Sequence, residues 1–392
     1  LFRSIIKCIL YVLKNQGKTA LCAPTGRAAK RLSESTQQEA KTIHRLLELN
    51  FNNSERYFAF DENNPLDADT VIVDEVSMVD EFLFNSLLRA LKEGTRLILV
   101  GDKDQLPSIG AGNVLANIIE SGAVKVQMLT KIYRQGKQSL IVLNAHAINN
   151  GNMPDLYDNN SDFFFIEKRT PKNIHDTVTQ LCIERLPQYL NCAAQDIQVL
   201  SPMKKGLSGV ENLNKSLQEI INPHSKDKRE LRFEDRVFRE GDKVMQTVNN
   251  YNLKWIKNSV FAESGEGVFN GDIGFITGIN GLYDLTVEFE DGRVADYSAT
   301  DIGDLVLAYA ISVHKSQGCE FDAVVLPVTG GPPTLLTRNL LYTAITRAKK
   351  LVVLVGARFM VEKMVNNNYT RKRYSFLADF IKQQCGVLEG LQ

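Results

Sequence analysis

Short uninterrupted apolar runs alternate with amphipathic stretches along the first hundred residues of the chain. Ile5 to Lys14 places apolar residues at helical spacing and closes on Asn15-Gln16-Gly17, which predicts a helix. Thr19 to Ala23 predicts a short strand running into Pro24-Thr25-Gly26, and Ala28–Ser33 and Ile43–Leu49 predict helices. A polar, aromatic stretch follows over 50–64, then a strand from Thr70 to Val73 that ends in Asp74-Glu75. A helix from Phe82 to Glu93 leads to another apolar strand, Arg96–Val100, ending in Gly101-Asp102. Strands alternating with helices predict a parallel α/β sheet, and ligands of such sheets bind beyond the carboxyl ends of the strands.

A second α/β region runs from about Leu129 to Gln218 and resumes near Leu305. Between them the rhythm shortens. Asp242–Val248, Asp272–Ile279, Leu285–Phe289 and Val294–Tyr297 read as short strands separated by Gly, Asn and Asp turns, which predicts a small inserted β-barrel. The charged stretch 222–240, led by Pro223, reads as the linker into it. The expected boundaries are 1–130 for the first region, with a small hairpin insertion at about 50–66. The second region takes 131–235 and 303–392, and the barrel 236–302.

Composition changes this picture little. The chain has 392 residues, more than a single core usually holds, since cores stop growing near about 250–300 residues. No apolar run approaches the roughly 20 residues of a membrane span. The 6 cysteines are scattered without a C-x-x-C pair, the pattern of reduced cytosolic thiols rather than of a disulfide framework or zinc site. A formal net charge of zero argues against a protein that holds nucleic acid mainly by neutralising many phosphates. It leaves room for a narrow groove that uses stacking and backbone contacts.

Three strand tips carry candidate chemistry. In nucleotide hydrolases an acid such as Asp74 supports Mg²⁺ and a following acid such as Glu75 orients the attacking water; the alternative is a solvated acidic turn. Gln105, in Gly101-Asp102-Lys103-Asp104-Gln105-Leu106-Pro107, has the chemistry of a γ-phosphate sensor. Ala23-Pro24-Thr25-Gly26-Arg27-Ala28-Ala29-Lys30 puts a hydroxyl, a glycine and free N–H groups at a helix start. That is an anion site, suited to a nucleic-acid phosphate, or else a plain helix cap.

These segments resemble successive motifs of the superfamily 1 helicases. Ala23–Leu32, Asp74-Glu75-Val76-Ser77-Met78 and Gly101–Pro107 are followed in order by Tyr133-Arg134-Gln135, Val313-His314-Lys315-Ser316-Gln317-Gly318 and Tyr342–Ala348. Together they are similar to the RecD-like branch, with its RecD and TraA relatives, over essentially the whole chain. The resemblance implies two RecA-like domains with Mg²⁺-ATP between them and single-stranded DNA across their tops. It also implies 5′→3′ translocation on single-stranded or tailed duplex DNA, in DNA repair or recombination. Arg134 and Arg347 match arginines that reach the γ-phosphate, while Gln317, Gly318 and Glu320 match nucleotide-contacting positions. Pro24, Thr25, Arg27 and His314 match the DNA-facing side. The inserted barrel resembles the SH3-like module of this branch, with Asn270-Gly271-Asp272-Ile273-Gly274 as its turn. Asn250 and Trp255, beside Lys254 and Lys257, suit base stacking with phosphate contact; Trp255 as a packing residue of the barrel is the equal alternative. Tyr57, Phe58 and Phe60 fall where relatives carry a strand-separating hairpin, or form a hairpin stapled by its own aromatics.

One expected motif does not match. A phosphate-binding loop requires G-x-x-x-x-G-K-[ST] between a strand and a helix. Gly17-Lys18-Thr19 resembles its end, but Val12 stands at the first glycine position and a strand follows, so these residues read as a helix-to-strand turn. The loop is then expected upstream of Leu1, in a longer protein of which this chain is a fragment; the alternative is a truncated chain unable to hydrolyse ATP. The rival to a monomeric cytoplasmic, nucleoid-associated motor is an ATPase-inactive DNA-binding scaffold or a subunit of a helicase–nuclease complex. No carboxylate cluster of nuclease type stands apart from the acids already named.

Overall fold

The computed structural model describes residues 2–52, 55–129, 139–158, 162–257, 263–281, 284–370 and 373–389. The chain divides into two compact units, Leu1–Lys137 with Thr370–Gln392, and Gln138–Tyr369. Residues 370–392, which the sequence pattern assigns to the second region, therefore cluster with the first. All six cysteines are free. No helix among the described residues is long and apolar enough to cross a membrane.

The first unit runs α1 (Phe2–Leu13), β1 (Thr19–Ala23), α2 (Gly26–Thr36), β2 (Ala40–Thr42), α3 (Ile43–Leu46), β3 (Leu49–Asn52), β4 (Glu55–Phe58), β5 (Thr70–Val73), α4 (Glu81–Arg89), β6 (Arg96–Leu99) and α5 (Val114–Ser121). Strands β2-β1-β5-β6 form a parallel sheet in that order. Successive strand residues point to opposite faces, so β5 can supply two cores at once. Ile72 joins Leu21 of β1, Leu32 of α2 and Ile6, Leu10 and Leu13 of α1 on one face. Val71 and Val73 join Leu83, Leu87 and Leu115 on the other. All four residues of β5 are buried, which is why it reads as an unbroken apolar run. The antiparallel β3–β4 hairpin sits in the aromatic stretch, and Phe58 and Phe60 pack on that second core. Phe58 and Phe60 thus tie the hairpin to this core, while Tyr57 is exposed. A closing helix, Leu377–Glu389, packs Leu377 and Ile381 against the same core.

The turn between α1 and β1 settles the reading of Gly17-Lys18-Thr19. Gly17 sits at φ +98° with the Asp69 carboxylate where a side chain would go. Asp69 Oδ2 accepts the Lys18 N–H at 2.7 Å, and the Lys18 ammonium pairs with Asp67. β1 then follows directly, so this is a helix-to-strand turn.

The second unit contains α6 (Leu140–Asn149), β7 (Phe163–Glu167), α7 (Pro171–Gln180), α8 (Leu186–Leu190), β8 (Ile197–Ser201), α9 (Val210–Ile221), β9 (Glu230–Phe233) and β10 (Arg236–Arg239). It continues with β11 (Lys243–Gln246), β12 (Asn250–Lys257), β13 (Glu263–Val268), β14 (Ile273–Asn280), β15 (Asp284–Phe289), β16 (Arg293–Tyr297), β17 (Leu305–Leu307), β18 (Ala310–Ser312), β19 (Phe321–Val328), α10 (Arg338–Ile345), β20 (Ala348–Gly356) and α11 (Arg358–Asn366). Strands β18-β8-β19-β20-β7 form an all-parallel sheet, the second RecA-like α/β layer. Strands β13-β12-β16-β15-β14-β11-β17 form an antiparallel sheet around one core that includes Val244, Ile276, Val287, Phe289 and Tyr297. Register shifts in β12 and β14 bend it, as β-bulges do.

The stretch 222–240 is not a simple linker. It holds the β9–β10 hairpin, whose Leu231 and Phe238 join the core of the antiparallel sheet. A buried polar network fixes this hairpin and β11 to the parallel sheet. Asp242 Oδ1 accepts from Asn222 Nδ2 (2.8 Å) and Tyr309 Oη (2.9 Å), and Oδ2 accepts from Gln218 Nε2 (2.6 Å) and the Arg239 N–H (2.7 Å). Burial lifts the Asp242 carboxyl above its ordinary value, while its donors pull it back. Tyr309→Phe removes one donor from a buried carboxylate and is expected to cost about 1–3 kcal/mol. Urea denaturation at neutral pH measures it; an unchanged midpoint would show that the remaining donors suffice.

Candidate functional site

The acids sit where a parallel sheet presents ligands. β5 ends at Val73, so Asp74 and Glu75 emerge from its carboxyl end, held by the Asp74 N–H donating to Cys22 O at 2.9 Å. Asp74 is 6% exposed, and its Oδ1 accepts the Glu75 N–H at 2.9 Å. Glu75 adopts φ 55°, a left-handed conformation rare for a non-glycine residue. Such strain costs on the order of 1–3 kcal/mol and gathers at functional positions. It turns the chain into the short 3₁₀ turn Val76–Met78.

The neighbouring tip is joined to this one. β6 pairs with β5, and the Val76 N–H donates to Val100 O at 3.0 Å. A β-carbon on Gly101 would lie 3.1 Å from Val76 N and 3.2 Å from Ser77 N, a tight contact that glycine avoids where the two tips approach. Beyond it, Asp102 Oδ1 accepts the Asp104 N–H at 3.0 Å and Oδ2 accepts Gln105 Nε2 at 3.2 Å. Asp102 thus orients Gln105, a role the sequence pattern did not assign. The aspartate-turn spacing Asp102-Lys103-Asp104 was the available signal.

Pro24 and Thr25 leave the carboxyl end of β1, on the same edge of the sheet. Thr25 caps α2, its Oγ1 accepting the Ala28 N–H at 3.3 Å, and Arg27 is half-buried one residue into the helix. The first unit therefore brings Asp74, Glu75, Gln105, Pro24, Thr25 and Arg27 to one edge. Among the described residues no cluster of three or more His, Cys, Asp or Glu could hold a metal. The donor set suits Mg²⁺, which uses one or two carboxylates and takes its other ligands from water and phosphate. The buried Ser77 hydroxyl, two residues past Glu75, has no hydrogen-bond partner.

In the second unit, His314 lies in the 3₁₀ turn just past the carboxyl end of β18. Burial holds the His314 imidazole below its ordinary value, and burial with nearby Lys204 does the same to the Lys315 ammonium. Gln317 and Gly318 are buried in the crossing that follows. Glu320 and Arg347 precede β19 and β20 at the opposite, amino-terminal edge of that sheet. Glu320 lines a cavity of about 280 Å³ with Lys243, Phe275, Asp322 and Lys350. Arg347 is 5% exposed; its Nε donates to Thr343 O (3.1 Å), Nη1 to Cys319 O (3.3 Å) and Nη2 to Thr346 Oγ1 (3.3 Å). Arg134 lies outside the described residues.

Two residues expected at the DNA, Asn250 and Trp255, are held within the antiparallel sheet. Asn250 Oδ1 accepts the N–H groups of Asn252 and Leu253, and its Nδ2 donates to Asp301 Oδ1 at 3.0 Å. Asn250 therefore organises the bulge at the start of β12. The Trp255 ring fills the space above Gly265, where a β-carbon would come within 2.6 Å of it, and Arg293 lies 5.8 Å over its centroid. It is packed against the sheet core, the packing alternative of the sequence pattern.

The chain matches the AAA domain family over residues 3–111, the SH3 domain of ATP-dependent RecD-like DNA helicases over 213–289, and the UvrD-like helicase C-terminal domain over 307–355. It is 36% identical over 332 residues to the ATP-dependent RecD2 DNA helicase of Deinococcus radiodurans, covering 85% of this chain and 42% of that protein. It is 30% identical over 391 residues to the RecBCD enzyme subunit RecD of Mycolicibacterium smegmatis, covering 91% of this chain and 65% of that one. The chain thus spans less than two thirds of these relatives. A crystal structure of Pif1 helicase from Bacteroides with ADP-AlF3 and ssDNA shares the fold, with a TM-score of 0.53 at 19% identity over 99% of this chain and 91% of that chain. A structure of two Pif1 helicases on forked dsDNA gives 0.52 at 21% identity, over 98% and 91%.

Two RecA-like α/β layers with an SH3-like domain are the architecture of a superfamily 1 helicase core. Within that class, the chain is similar to the RecD-like helicases, through its SH3-domain match and the two relatives just described.

Proposed function

We propose that this chain forms the motor core of an ATP-dependent DNA helicase that moves 5′→3′ along single-stranded DNA. The observation that carries the reading is the joined pair of strand tips. Asp74-Glu75 and Asp102–Gln105 follow paired strands at one sheet edge, tied by the Val76 N–H bond to Val100 O with Gly101 in close approach. Bound Mg²⁺-ATP would supply the phosphate chemistry that drives movement. Asp74 would hold the ion, and Glu75 would orient and deprotonate the attacking water. Gln105 would report whether the γ-phosphate is present, through the loop that Asp102 organises. Arg134 and Arg347 are assigned to charge stabilisation, and Gln317, Gly318 and Glu320 to nucleotide contact. Pro24, Thr25, Arg27 and His314 are assigned to the DNA track. The domain boundaries follow the two units, with the antiparallel module inserted in the second.

One relative of this chain is named a RecBCD enzyme subunit and another an ATP-dependent RecD2 DNA helicase. We assign this chain to repair or recombination in the cytoplasm, at the nucleoid, as a monomeric motor; helicase–nuclease subunits are its candidate partners. A single-turnover unwinding assay of the whole protein on 5′-tailed and 3′-tailed duplexes tests the direction. Opening of the 5′-tailed substrate is expected to be at least about tenfold faster, the scale on which a positioned substrate outruns a misplaced one. Preferential opening of the 3′-tailed duplex would overturn the polarity.

A further inference from the structure

We infer that Arg373 is a positioning residue for the Gln105 loop, an inference that rests on the reading of Gln105 as the phosphate sensor. The loop between β6 and α5 has no regular backbone pairing of its own. Its first half is held locally by Asp102. Its second half turns several carbonyls toward one point, and Arg373 occupies that point. Arg373 Nη1 donates to Gly110 O (2.6 Å), Gly112 O (2.5 Å) and Ser108 Oγ (3.2 Å), and Nη2 donates to Ser108 O (2.5 Å). Guanidinium is the side chain suited to this work, because its planar fork serves several acceptors at fixed angles while an ammonium is a point charge.

The segment that delivers Arg373 is itself anchored. Ser375 Oγ donates to Glu81 Oε1 and accepts Asn117 Nδ2 at 2.7 Å. Leu377 and Ile381 then enter the core shared with α4 and α5. The returning segment is thus a strap across the base of the loop. Glu81 closes the other side, its N–H donating to Ala111 O at 3.0 Å. Arg373 touches neither Gln105 nor Asp102 in the bonds just described; it acts by removing freedom from the chain that carries them. A small displacement of a reacting group is enough to matter, since about 1 Å can cost on the order of 10²-fold in rate.

The test compares Arg373→Ala, Arg373→Lys and Ser375→Ala in the whole protein, by three measurements. These are hydrogen–deuterium exchange of amides 104–113, thermal melting, and kcat and KM for DNA-stimulated ATP hydrolysis. Arg373→Ala is expected to speed exchange in 104–113 by about tenfold or more and lower kcat by roughly 10- to 100-fold, with KM for ATP within about twofold. Arg373→Lys falls between, and carries the same comparison if the alanine variant does not fold. Ser375→Ala, which bonds the strap but not the loop, keeps kcat within about twofold. Unchanged exchange, unchanged kcat, or an equal kcat loss in Ser375→Ala each overturns the assignment. If the wild type hydrolyses no ATP, the functional reading falls instead, and exchange alone still decides whether Arg373 fixes the loop.

Discussion

Glu75→Gln lowers DNA-stimulated ATP turnover by about 10³-fold while leaving nucleotide binding and the fold in place; this is the middle of the range for loss of a positioned proton acceptor. The substitution is a clean one at this site. Glutamine keeps the length and shape of the side chain and removes only its charge. The backbone features that define the site belong to the main chain: the left-handed φ of 55° and the Glu75 N–H bond to Asp74 Oδ1. Neither depends on the carboxylate. Steady-state ATPase with saturating single-stranded DNA, beside a fluorescent-nucleotide titration, separates turnover from binding. Turnover within about threefold of wild type would remove Glu75 from the chemistry. A wild type without DNA-stimulated ATPase would leave the ATPase-inactive scaffold as the better account.

The Asp74-Glu75 tip was legible because burial of β5 on both faces leaves an unmistakable apolar run. Thr70–Val73 is the clearest case, with all four residues buried and two acids immediately after. β12 and β13 were missed for the opposite reason. In β12 burial alternates from Asn252 to Lys257 but only Leu253 is fully buried, so the apolar signal is thin, and β13 carries Gly265 and Gly267 where strands favour branched side chains. The β9–β10 hairpin was hidden by charge, yet its Arg236 lies 5.5 Å over Phe233 and 6.0 Å over Phe238, covering apolar rings with a cation. The bond of Asn250 to Asp301 was not legible, because the two residues are 51 positions apart in sequence. Arg373 left no trace at all. It recognises backbone carbonyls more than 250 positions away, and a carbonyl has no sequence identity.

Arg347→Ala is expected to do two separable things. The first is structural. The guanidinium satisfies the carbonyls of Thr343 and Cys319, and the Arg347 carbonyl accepts the Phe321 N–H at 2.9 Å, so this residue ties the start of β20 to the start of β19. Truncation removes the buried donor that joins the Cys319 carbonyl to the start of β20, while Thr343 O keeps the Thr346 hydroxyl, at a cost of about 1–3 kcal/mol, visible as a lower urea midpoint. The second effect is chemical and larger. An arginine that neutralises charge on a transferred phosphoryl group is worth about 10³–10⁵ in rate, and none of that loss comes from unfolded protein if turnover is normalised to the folded fraction. Arg347→Lys divides the two contributions. A lysine keeps the positive charge and can serve one of the carbonyls, but not the fork of three acceptors. The expected order in folded-state kcat is wild type, then lysine, then alanine, with KM for ATP changing far less than kcat. Equal kcat per folded molecule in all three would make Arg347 a tie between two strands and nothing more. In that case, the guanidinium contacts with Thr343, Cys319 and Thr346 would be its whole function.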